Sequence, residues 1–256
     1  DHVTPLRGAA VPAVSLQAQL SQTASRVLVL TRGTDGIRAE VLRGAGPLLT
    51  DASAGTRLGE LVDLRTGQED AADADLEQAV VTLVEYPDDA SVLTLAQHAI
   101  DTVLLPDTTS AEGRRMAEAL DRAPGVEKVG TTDQGVLWRV RPQDVVPARV
   151  VVEGEDTVTT VRAGWLGVDA NLDAGVSGTL VLAERADRAW RASVDGTPLA
   201  ATVATSGTWR QAFELPASGH LVVEFRPWWL LTWRLLCGLT LVGSAVAAVP
   251  VRRRHR

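Results

Sequence analysis

Three tryptophans, Trp165, Trp190 and Trp209, are the side chains of this sequence best suited to hold a ligand. An indole face stacks on the C–H face of a sugar ring, and indoles serve equally well to fill a core. Core filling suits Trp190, which opens the alternating stretch WRASV; Trp209 follows Ser206-Gly207-Thr208 and so stands beside a turn. The ionisable candidates are weaker. Asp73-Ala-Asp75 has the Asp-x-Asp form that can hold a metal-bound nucleotide sugar, but it opens a helical pattern in an acidic stretch. There Asp73 or Asp75 would act as a solvated N-cap. Asp169-Ala-Asn171-Leu-Asp173-Ala-Gly175 begins like a calcium loop, yet Ala174 and Leu180 stand where that loop needs a glycine and a bidentate glutamate. A turn is the simpler reading, with an irregular Ca²⁺ site at Asp169–Asp173 left open. His2, His98, His220 and His255 lack ligand spacing; His98 closes a helix, where an imidazolium would favour the dipole. Gly175-Val-Ser177-Gly178 is one residue short of a nucleophile elbow. The sequence thus offers no catalytic residue, cofactor site or metal site in this chain.

The elements that would position these residues fall into two groups, divided near Pro142 and Pro147. Residues 1–142 read as a small α/β domain, three-layered or open-faced. Its expected elements are a helix over 12–24, strands over 26–31 and 37–42, helices over 73–86 and 90–98, a strand over 101–105, a helix over 111–121 and a hairpin over 126–141. Residues 44–69, rich in Gly, Thr, Asp and Ser, read as a long loop with a short helix near 58–64. Residues 143–226 carry short apolar runs about every ten residues with turn residues between them, the pattern of a jelly-roll-like β-sandwich. Asp195-Gly196 between Val194 and Thr197 fits a type I′ hairpin.

Residues 227–251 read as one C-terminal transmembrane helix. The uncharged run LLCGLTLVGSAVAAVPV (235–251) covers roughly 26 Å at helical rise, and residues back to Trp228 supply the rest of a ~30 Å core. Trp228, Trp229 and Trp233 would lie at the interface, with Arg234 snorkelling to the headgroups. The tail RRRHR (252–256) places Arg252, Arg253, Arg254 and Arg256 in the cytoplasm by the positive-inside rule, and the bulk of the chain outside it. The chain opens at Asp1 with no basic n-region or apolar h-region of a signal peptide, so the expectation for an external domain is a longer protein with upstream membrane helices; a tail-anchored protein is the alternative, which the arginine tail argues against. The net charge is −7 and all 32 acidic residues precede the helix, which argues against nucleic-acid binding. The single cysteine, Cys237, permits no disulfide framework.

Several stretches carry a resemblance: DTVLLP (101–106), LDRAPGVEKVGTTDQGVLWRV (120–140), LVLAERADRAWRASVDGTPL (180–199), WRQAFELPASGHLVVEF (209–225) and the apolar run ending in RRRHR. In these the chain resembles the C-terminal extracytoplasmic region of actinobacterial membrane-bound family 2 glycosyltransferases. Lys128 as the only lysine beside 24 arginines fits the GC-rich genomes of that group. The tryptophan equivalent to Trp190 usually follows glycine there; here it follows Ala189. The resemblance implies a transferase domain upstream, and it carries no catalytic residue into this chain. It implies a non-catalytic accessory region for cell-envelope glycan assembly, meeting envelope glycan or a lipid-linked sugar. A structural, assembly or protein-interaction domain without glycan affinity is the alternative; an independent hydrolase lacks its acid/base pair.

Overall fold

The computed structural model describes residues 11–32, 36–44, 70–143, 145–164, 167–204, 208–227, 229, 232–233 and 236–241. They form a β-rich chain of three sheets with few helices. The first sheet has five strands: β1 (Arg26–Arg32), β2 (Ile37–Leu42), β3 (Ile100–Leu105), β4 (Val126–Thr132) and β5 (Gly135–Val140), in the order β2-β1-β3-β5-β4. Only β1 and β3 are parallel; the other neighbours pair antiparallel. Among the described residues four helices accompany it: α1 (Ala13–Gln19), α2 (Ala71–Glu85), α3 (Asp89–Gln97) and α4 (Ala111–Arg122).

The central strands β1 and β3 are apolar without alternation because both of their faces are covered. On one face, Leu28, Leu30, Val103 and Leu105 pack with Leu76, Val80, Leu95, Met116 and Leu120 of the helices. On the other, Val27, Val29, Leu104 and Leu137 pack with Val11. Trp138 of β5 is fully buried in the first of these cores, and its indole N–H donates to Asp121 Oδ1 at 2.7 Å. The helix starts have local causes. Ser110 caps α4 by accepting from Gly113 N at 3.0 Å, and Asp88 makes a capping box with Ser91 at the start of α3. The cap of α2 is Asp70, which accepts from Ala72 N and Asp73 N; Asp73 and Asp75 are engaged elsewhere, which corrects the expectation that one of them is the cap.

Nine strands follow: β6 (Val150–Glu153), β7 (Val158–Thr160), β8 (Gly167–Asn171), β9 (Gly178–Arg185), β10 (Trp190–Val194), β11 (Thr197–Pro198), β12 (Ala201–Val203), β13 (Arg210–Leu215) and β14 (His220–Phe225). They form one sheet of order β11-β10-β14-β8 and another of order β12-β13-β9-β6-β7, in a β-sandwich-like arrangement. Val152, Leu180, Leu182 and Phe213 of one sheet meet Trp190, Val194, Leu221 and Val223 of the other in a shared core. The hairpin at Asp195-Gly196 has φ of +48° and +79°, the left-handed pair a type I′ turn needs. Its second arm is shorter than expected. After β11 the chain turns a corner between sheets: Leu199 N still bonds Ala192 O, while Ala200 O accepts from Glu214 N in the other sheet.

Two expectations fall partly or wholly on residues outside this description. The long loop of 44–69 with its short helix lies, from residue 45 on, outside the described residues. Among the described residues no helix is long and apolar enough to cross a membrane. Helical residues are described there at 229, 232–233 and 236–241; Trp228, Arg234 and the stretch from 242 to Arg256 lie outside. Trp229, Trp233, Leu236, Leu239 and Leu241 are all exposed.

Candidate functional site

The densest set of charged side chains lies where the α/β unit meets the sandwich. Strand β9 is the cause. Its apolar run LVLA ends in Glu184-Arg185, and pairing with β13 carries a bulge at Arg210/Gln211 opposite that end. A bulge re-aims side chains out of the regular alternation. Glu184 and Arg185 thereby reach elements of the first unit.

Three guanidinium groups converge on one oxygen, Glu184 Oε1: Arg26 of β1 at 2.8 Å, Arg43 just after β2 at 2.5 Å, and Arg149 before β6 at 2.8 Å. Arg26 and Arg149 are buried. Arg26 also donates to His98 O at 3.2 Å, and Arg149 to Gly164 O. Desolvation would raise the Glu184 carboxyl, but the fields of Arg26, Arg43 and Arg149 override it and bring it down to about 2. Burial pushes the Arg26 guanidinium down to about 10 despite Glu184, so it stays charged at neutral pH. Glu184 and Arg26 are thus both ionised, at a high desolvation cost that the multiple contacts offset.

Beside it, Arg185 forks onto the start of α2, with Nε to Asp70 Oδ2 at 2.9 Å and a second nitrogen to Asp73 Oδ1 at 2.5 Å. One turn along α2, Asp75 Oδ2 accepts from Trp209 Nε1 at 3.1 Å and meets His98 Nε2 at 3.0 Å. The His98 ring stacks on the Trp209 indole, with centroids 4.2 Å apart and an interplanar angle of 19°. Burial lowers the His98 pKa more than Asp75 raises it, which disfavours the imidazolium expected at the end of α3. Backbone bonds cross the same joint: Arg149 N to Thr23 O at 2.8 Å and Ala163 N to Gln22 O at 3.4 Å.

The cavity enclosed by Arg26, Asp73, His98, Glu184, Arg185 and Trp209 measures about 30 Å³. That is the volume of a water molecule, too small for a sugar or any organic substrate. Glu184 Oε1 is shared by three cations, and His98 and Asp75 are engaged with each other and with Trp209. The arrangement ties the two units together through these contacts.

Of the residues singled out in the sequence, Trp209 lies in this joint with one face on His98. Trp190 is buried in the sandwich core, edge-on to Phe225 at 5.0 Å. Trp165 lies outside the described residues. Asp73 and Asp75 of the Asp-x-Asp are engaged in the joint instead of capping α2 in solvent. Asp169 and Asn171 sit in β8 paired with β14, Asp169 Oδ1 meets His220 Nε2 at 2.8 Å, and the expected turn forms in the second half of the stretch, where Val176 N donates to Asp173 O at 3.2 Å and Gly175 has a φ of +89°. Among the described residues no group of three or more His, Cys, Asp or Glu side chains is placed to hold a metal ion. The residues missed are Arg26, Arg43, Arg149 and Glu184. Their one signal is a charged pair, Glu184-Arg185, closing an apolar strand run.

No protein-family model matches this chain, and neither the curated proteins nor the solved structures compared with it yield a match.

Proposed function

We propose that this chain is the extracytoplasmic, membrane-proximal and non-catalytic accessory region of a membrane-bound glycosyltransferase for envelope glycans. The observation that carries the membrane part is the junction at the end of the sandwich. Strand β14 ends at Phe225, and Trp229, Trp233, Leu236, Leu239 and Leu241 follow, all exposed on helical residues. Exposed apolar side chains in such a row call for an apolar surrounding, and the uncharged run to Val251 with its arginine tail supplies the span and the orientation. The transferase part rests on the sequence resemblance.

Within that role, a structural or assembly task is favoured over glycan binding by one observation. Trp209 and Trp190 are already used inside the protein, Trp209 bonded to Asp75 and stacked on His98, Trp190 in the core. A region clamped at Glu184 and seated directly on its anchor is suited to hold a fixed surface at a fixed height above the bilayer.

Cysteine accessibility tests the orientation. In a Cys237→Ser background, D156C is expected to react with a membrane-impermeant maleimide on intact cells, and R254C only after permeabilisation. The reverse pattern would overturn the proposal. Glycan-array binding by the full chain, lost in W209A, would restore glycan recognition as the leading role.

A further inference from the structure

A second cleft, of about 620 Å³, opens at the base of the sandwich where the chain leaves β14 for the apolar segment. Its charged lining is Arg188, Arg191 and Arg226 with one acid, Asp187; its apolar wall is Phe225 and Trp229. The three guanidinium groups differ in how they are engaged. Arg226 is held by Glu224 through two bonds of 2.7 and 2.6 Å. Asp187 Oδ1 is occupied by Ala189 N at 2.6 Å. Arg191 is oriented by backbone oxygens of Arg188 and Trp190, which accept from it and leave its charge unneutralised. Arg188 and Arg191 make no ion pair among the described residues.

A guanidinium fork matches the geometry of a phosphate, and Phe225 and Trp229, 41% and 51% exposed, offer rings of the kind that settle at the headgroup level. We propose that this cleft binds the phosphodiester headgroup of an anionic phospholipid from the leaflet into which the apolar segment inserts. The proposal rests on the membrane reading above: Trp229 belongs to both the cleft and the segment, so insertion brings the cleft to the interface. The occupant follows from charge and position together. Three arginines against the single lining acid Asp187 leave the cleft an excess of positive charge that selects an anion in a chain whose net charge is −7, and the adjoining apolar wall selects one that carries a hydrocarbon tail.

The full chain would be reconstituted in phosphatidylcholine nanodiscs with and without phosphatidylglycerol, and the lipids it retains counted by native mass spectrometry. Retention of phosphatidylglycerol over phosphatidylcholine is expected, undiminished by inorganic phosphate. R188Q/R191Q should lower that preference by about fivefold for each arginine. R162Q, at an exposed arginine outside the cleft, should leave it unchanged. Alkaline-carbonate extraction from vesicles reports insertion separately. A double variant that stays inserted and keeps its phosphatidylglycerol overturns the headgroup proposal alone. Displacement by inorganic phosphate overturns it too, since the cleft would then be a plain anion site. A wild-type chain stripped by carbonate overturns the membrane reading and this proposal together.

Discussion

Glu184→Gln is the most informative single perturbation of this protein. Glutamine keeps the shape of the side chain but removes its charge, and it turns an amide NH₂ toward guanidinium donors. Arg26 and Arg149, with side chains 6% and 4% exposed, would lose the charge of Glu184 from their buried surroundings. The native carboxyl is held at about 2 against an ordinary 4.5. At 1.36 kcal/mol per unit that difference corresponds to about 3 kcal/mol of stability at neutral pH. Breaking a buried ion pair from one side costs about 3–5 kcal/mol by direct precedent, so the two routes agree in size. The sign in pH follows from the lowered carboxyl. Its contribution is present above about pH 4.5 and is lost as pH falls toward about 2, where the native carboxylate also takes up a proton. Thermal unfolding of the full chain in detergent micelles, at pH 7 and in steps to pH 2.5, reads both features. At pH 7 the variant should melt about 6–12 °C below the native protein, at about 2–4 °C per kcal/mol. By pH 2.5 the gap should narrow to about a quarter of that. A gap under about 2 °C at pH 7, or one that stays constant with pH, would refute the account of Glu184 as the ionised centre of the joint.

Two further variants test the packing around it. W209F keeps a ring on His98 but deletes the N–H that serves Asp75, and should cost about 1 kcal/mol; W209A also removes the ring and should cost about 3–5 kcal/mol, both read by denaturant unfolding. Equal costs would mean the ring adds nothing beyond its N–H, and a cost-free W209F would mean the N–H contributes nothing. Gly113 lies inside α4, where alanine ordinarily stabilises a helix by about 1 kcal/mol. Here an added Cβ would meet the Asp107 carbonyl oxygen at 2.1 Å, so G113A should instead lower the melting temperature, and a rise would show that the turn before α4 can yield.

Much of the architecture was legible because it is written in local patterns. Short apolar runs bounded by turn residues located β1 and β3 to within a residue, and Asp195-Gly196 named its own turn, since only residues tolerant of positive φ fit a two-residue hairpin. The start of α4 is local too: Ser110 caps it, and its partner, Gly113 N, is three residues away. The joint was not legible. Glu184 meets Arg26 across 158 positions and Arg43 across 141, and Trp209 meets Asp75 across 134. No spacing rule spans such separations, because they depend on how two independently patterned units dock. The same distance explains Asp73 and Asp75. Locally they are acids in the first turns of a helix, where solvent and the helix dipole suffice to account for them. Only when β9 brings Arg185, and the turn before β13 brings Trp209, does α2 become one wall of a clamp. The sequence by itself determined the order of the elements, the alternation that makes the sandwich and the uncharged run after Trp228, all set by neighbours a few residues apart. The tertiary structure alone decided which charges are buried against one another, because desolvation and Coulomb attraction act through space and are indifferent to position along the chain.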